Sequence, residues 1–117
     1  EASIDSGCLH FVPGSHKFDV LPHHPIDNDP RIHGLEVEEP ERWYRQAVAC
    51  PIPAGGATLH ASYMLHSARA NSSRRPRRAY ILTFRLPAQK RQVAIDNYWK
   101  RSQQTAREAR AQQSAAS

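Results

Sequence analysis

Residues 46–86 read as short β-prone runs separated by turn signals, and this limits the folds open to the chain more than any other feature. The order is QAVACPI, a Pro-Ala-Gly-Gly turn, ATLHAS, YMLHSA, a polar arginine-rich tip at 69–76, and RRAYILTFRL. Thr58, His60 and Ser62 alternate with Leu59 and Ala61. In the last run Arg77, Ala79, Ile81 and Thr83 fall on one face, and Arg78, Tyr80, Leu82 and Phe84 on the other, which is the period of a strand. Pro87 ends it. Upstream, GCLHFV is a further apolar run, closed by the turn signal PGS. Short strands of this kind imply a sandwich or barrel-like β fold.

The remaining segments have less pattern. Residues 17–40 are rich in Pro, His and Asp with no clean period, and loops of that length inside compact domains tend to be functional or disordered. Residues 41–45 predict a helical turn. Good helix formers with a weak Val93, Asn97, Lys100 stripe predict a helix over 91–110, with a frayed Ser/Ala/Gln end. At 117 residues the chain is at most one domain. The expected division is a β portion at 1–87 and a helical, partly disordered tail at 88–117.

Charge is unevenly spread. Residues 1–60 hold nine acids and four bases, and residues 61–117 hold two acids and twelve bases. The basic half could meet nucleic acid, but no aromatic residue interrupts the Arg74–Arg78 cluster and no reading motif is present, so nucleic acid is not expected as a partner. No long apolar run is present, and neither a membrane span nor an export signal is expected. The polar opening EASIDSG leads straight into a strand, as in a chain cut into partway. Cys8 and Cys50 lack the spacing of a disulfide framework or a zinc site and read as buried reduced thiols of a cytoplasmic protein.

Seven histidines invite a metal reading. His16 follows a tight turn and reads as a backbone-bonding residue. His23, His24 and His33 fall in the long irregular segment and read as solvated. His10 lies within a strand, and a lone strand histidine is structural by default. His60 and His66 are six apart around an expected bend. His66 has the better case, because Arg77 begins the next strand eleven residues on. A hairpin would set the two side by side, as a cosubstrate bridging a metal and a guanidinium requires.

The stretches SGCLHFVPGSHK and PAGGATLHASYMLHSARANSSRRPRRAYILTF together resemble the C-terminal half of the phytanoyl-CoA dioxygenase family. The resemblance covers roughly residues 5–87. It implies a mainly β fold, part of a double-stranded β-helix (a cupin-like jelly roll), to which the C-terminal helical tail is added. It also implies Fe(II) and 2-oxoglutarate as cofactor and cosubstrate. The family stretch H-x-x-x-x-N-x-S-x-x-x-R falls on His66, Asn71, Ser73 and Arg77. By resemblance His66 is the distal iron ligand, Arg77 holds the far carboxylate of 2-oxoglutarate, and Asn71 shapes the loop between them. The common H-G-S-G-P-N reads His66-Ser67-Ala68-Arg69-Ala70-Asn71 here. The upstream H-x-D/E that completes the family's iron site occurs nowhere in the sequence.

The leading expectation is therefore a piece of an Fe(II)/2-oxoglutarate-dependent dioxygenase that hydroxylates a small organic substrate, inactive by itself. Its expected partners are that substrate and either the missing N-terminal half of the fold or a second copy, with no membrane. The long 17–40 segment would be a wall or lid over substrate. The alternative is a non-catalytic β-sandwich module that binds a ligand or partner chain.

Overall fold

The computed structural model describes residues 1–32, 34–90, 92–103 and 105–115. His33 and Arg91, where the sequence predicts a solvated histidine and a helix start, lie outside them. The chain divides into two compact units, one of residues 1–19 and 41–88, the other of residues 20–40 and 89–117.

The first unit is built on a three-stranded antiparallel sheet. Its strands are β1 (Leu9–Phe11), β4 (Val48–Cys50) and β5 (His66–Ala68), with β1 in the centre. Leu9, His10 and Phe11 pair with Cys50, Ala49 and Val48 on one side and with Ala68, Ser67 and His66 on the other. An isolated bridge between Ala2 and Ile52 carries the β4 side beyond the strand proper. Alternation gives the sheet two unlike faces. Cys8, His10 and Val12 are buried and, with Ser6 and Ser15, form what core there is. Phe11, Val48 and His66 lie on the opposite face, where Val48 and His66 are exposed. Both cysteines are free thiols, Cys8 fully buried and Cys50 half-buried, as their apolar settings predict.

Three of the expected strand runs appear, shortened, as β1, β4 and β5. Residues 57–62 and 77–86 do not form strands, although both alternate. A strand exists only when a neighbour completes its ladder, and neither run has one among the described residues. Leu59, Tyr80, Ile81 and Phe84 are accordingly exposed. The hairpin that was to align His66 with Arg77 is absent for the same reason.

In the second unit the segment expected to be irregular contains a hairpin of β2 (His23–Pro25) and β3 (Leu35–Val37), paired His23 to Val37 and Pro25 to Leu35. Its three-residue strands are too short to show a period. Asp29 takes a bidentate bond from the Arg31 guanidinium, which holds its carboxyl down at about 2. The helical turn expected at 41–45 is α1 (Pro40–Tyr44), of which all but Pro40 belongs to the first unit; the missing N–H of that proline costs nothing at a helix start. The single helix expected over 91–110 is instead a 3-10 turn at Tyr98–Ser102 and the helix α2 (Ala106–Ala115). A capping box separates them. Thr105 receives the Glu108 N–H, and the Glu108 carboxylate accepts from the N–H and hydroxyl of Thr105. α2 also runs to Ala115, into the Ser/Ala/Gln end expected to fray. No helix among the described residues is long and apolar enough to cross a membrane.

Candidate functional site

His66 opens β5 directly across from Phe11 on β1. Its Nδ1 lies 2.8 Å from the Met64 carbonyl oxygen. A carbonyl only accepts, so Nδ1 carries a proton, and in the neutral imidazole Nε2 keeps its lone pair, the tautomer a metal ligand needs. The side chain is exposed on the open face of the sheet. The His60 ring sits 4.8 Å from the His66 ring and 4.9 Å from that of Phe11, and Phe11 lies 6.0 Å from His66, all centroid to centroid.

The PGSH turn is what fixes the residues before His66. Gly14 takes φ 80°, a conformation that favours glycine, and so drops the buried Ser15 beneath the chain. There the Leu65 N–H donates to Ser15 Oγ at 2.8 Å, and the hydroxyl faces Met64 Sδ at 3.2 Å. The Val12 N–H bonds the Leu65 carbonyl at 3.0 Å. His16, which sequence reading favoured for backbone bonding, is exposed.

A second anchor holds the chain just after His66. Gly7 has φ 78°, and a Cβ there would lie 2.3 Å from the Arg69 carbonyl oxygen. Only glycine admits that approach. Further along, Ser72 donates through both its N–H and its hydroxyl to the Asp5 carbonyl, at 2.9 and 3.0 Å. Asn71 shapes the tip as expected, but through its side chain rather than an unusual backbone angle. Its Oδ1 accepts from the Ser73 N–H and hydroxyl, and its Nδ2 donates to the Arg75 carbonyl at 2.8 Å. The S-G-C and P-G-S-H motifs were visible in the sequence; which of their residues bear on His66 was not, because the contacts join positions 49 or more apart.

Arg77 follows this ordered tip. It is half-buried, whereas Arg74, Arg75 and Arg78 are exposed. Among the described residues it forms no hydrogen bond or ion pair, and no contact joins it to His66. His10, His23 and His24 have backbone partners of their own. The Nδ1 atoms of His10, His23 and His24 each lie within hydrogen-bonding distance of a backbone carbonyl, and the last two are half-buried rather than solvated.

His66 thus fits one position of an iron site in tautomer and exposure. The set is incomplete: among the described residues no three His, Cys, Asp or Glu side chains are grouped to hold a metal.

An exposed histidine on an antiparallel sheet, followed by an ordered tip and a half-buried arginine, is the arrangement on which comparison with known proteins bears. The family model for phytanoyl-CoA dioxygenase (PhyH) matches residues 1–79. The chain belongs to that family. A phytanoyl-CoA dioxygenase domain-containing protein 1 homolog from Caenorhabditis briggsae is 27% identical over 110 residues, 89% of this chain and 38% of its own length. The crystal structure of EvdO2 from Micromonospora carbonacea var. aurantiaca, complexed with 2-oxoglutarate, is 49% identical. It matches with a TM-score of 0.54 over 62% of this chain and 29% of its own. A second crystal structure of EvdO2 matches with the same identity, coverage and TM-score. The chain therefore spans well under half the length of these relatives.

Proposed function

We propose that this chain is the C-terminal part of the catalytic jelly roll of an Fe(II)/2-oxoglutarate-dependent dioxygenase, at residues 1–87, with 88–117 as an appended helical tail. The observation that carries the reading is His66, an exposed imidazole with its Nδ1 proton committed to Met64 and its Nε2 left for a metal. In this role His66 is one iron ligand, and the remaining protein ligands come from outside the chain. Arg77 is the clamp for 2-oxoglutarate, since a planar guanidinium grips a carboxylate at two points where lysine would not. Its greater burial than the neighbouring arginines supports that choice. Family membership and the 2-oxoglutarate bound to EvdO2 support the cosubstrate.

Held by His66 and by ligands from outside this chain, iron would supply, with 2-oxoglutarate and dioxygen, the oxidation of a substrate C–H to C–OH, with release of succinate and carbon dioxide. This chain's residues contribute position. Ser15 and Gly7 fix the backbone on either side of His66, and Asn71 orders the tip that leads to Arg77. The substrate is a small organic molecule, and the two free thiols suit a reducing, cytoplasmic setting. The described residues hold no complete metal site, and the chain alone is expected to be inactive.

The test is 2-oxoglutarate consumption by the full-length protein. His66→Ala should lower it by more than the 10- to 100-fold that changes around a ligand cost. Wild-type turnover in that variant would refute the assignment.

The absence of a three-ligand group among the described residues favours a second reading, a non-catalytic β-sandwich module that binds a ligand or partner. Failure of the full-length protein to bind Fe(II) or 2-oxoglutarate would select it.

A further inference from the structure

The contact between His60 and His66 is the cluster of metal-ligating side chains that the oxygenase reading does not use. With a metal–nitrogen bond of about 2.1 Å and a ring centre about 1.1 Å behind the nitrogen, two imidazoles on one metal place their centroids about 4.5–5.2 Å apart, for angles between square and tetrahedral. The two rings here are 4.8 Å apart and tilted by 57°. We propose that His60 and His66 form a two-imidazole site that takes a divalent transition metal of the kind imidazole favours, such as Ni(II), Cu(II) or Zn(II), on this chain itself.

Three features of the site point the same way. The Nδ1 of His66 is spent on Met64, so its Nε2 is the available donor. Neither ring nitrogen of His60 makes a hydrogen bond among the described residues, and both histidines are exposed, so an ion reaches them without displacing a protein partner. The Phe11 ring touches both imidazoles and holds them together on the sheet face. Water completes the coordination. The site shares His66 with the iron reading but rests on the His60 contact, and it gives His60 a ligand role that the proposed oxygenase does not require.

Calorimetric titration of the chain with Ni(II) at neutral pH tests it. A single site is expected, weakened at least about tenfold by His60→Ala and by His66→Ala alike, with little added by the double variant, because either change removes the chelate. His23→Ala and His24→Ala should leave it intact. His60→Gln, with unchanged far-ultraviolet circular dichroism, guards against loss through misfolding. Paramagnetic broadening by Ni(II) should reach the imidazole resonances of His60 and His66 first. Wild-type affinity in His60→Ala or His60→Gln would overturn the proposal while leaving the iron reading standing. Loss of Ni(II) binding in both variants, with 2-oxoglutarate turnover of the full-length protein unaffected by His66→Ala, would instead keep this site and remove the iron one.

Discussion

Replacing Ser15 with alanine would leave the Leu65 N–H without its acceptor at a buried position. Such a loss costs about 1–3 kcal/mol, and chemical denaturation should read it as a lowered midpoint with an unchanged slope. Gly7→Ala faces both a left-handed φ and the Arg69 carbonyl, and should destabilise by about 1–3 kcal/mol or more. Neither variant removes a ligand, yet both should loosen His66, because one acts just before β5 and the other just after it. His66 and Arg77 could be singled out from the sequence by residue type and spacing, and Asn71 by the family resemblance. Ser15 and Gly7 could be seen only as parts of motifs. What they do depends on where residues 64–72 fold back against residues 5–15, and no local pattern encodes that.

The tail shows the same division between local and distant information at the level of elements. Thr105 and Glu108 form a capping signal that the sequence displays openly, and it places the start of α2 fifteen residues beyond the helix start expected at 91. The weak apolar stripe upstream of it was not a helix signal. Glu108 is held below its ordinary carboxylate value by bonds from the Thr105 N–H and hydroxyl. A carboxylate whose folded value is depressed contributes above its unfolded value of 4.5, and that contribution is lost as pH falls through the lowered value. The helical signal of the chain should therefore decline in acid, and Glu108→Ala should flatten that decline. A decline of the same size in the variant would mean that the cap does not hold α2. The 77–86 run failed as a strand for the opposite reason: its alternation is correct, but a ladder needs a partner that sequence periodicity cannot supply.

At the scale of the molecule, the buried side chains among the described residues amount to a few around Cys8 and Val12, while Tyr80, Ile81, Phe84 and Leu86 are each more than four-fifths exposed. A soluble chain rarely leaves so much apolar surface uncovered. By itself the chain should be marginally stable and self-associate. Sedimentation should show concentration-dependent oligomers that Ile81→Lys with Phe84→Lys disperses, and a sharp, monomeric unfolding transition would count against this. The β character of the fold was legible from runs and turns. Its closure was not, since the chain spans only 38% and 29% of the relatives it matches. The account as a whole turns on Arg77 as the 2-oxoglutarate clamp. The direct measurement is the 2-oxoglutarate dependence of turnover by the full-length protein carrying Arg77→Ala. The Michaelis constant for 2-oxoglutarate should rise at least about tenfold, with Arg77→Lys recovering only part of the loss. An unchanged dependence at limiting 2-oxoglutarate would contradict the account.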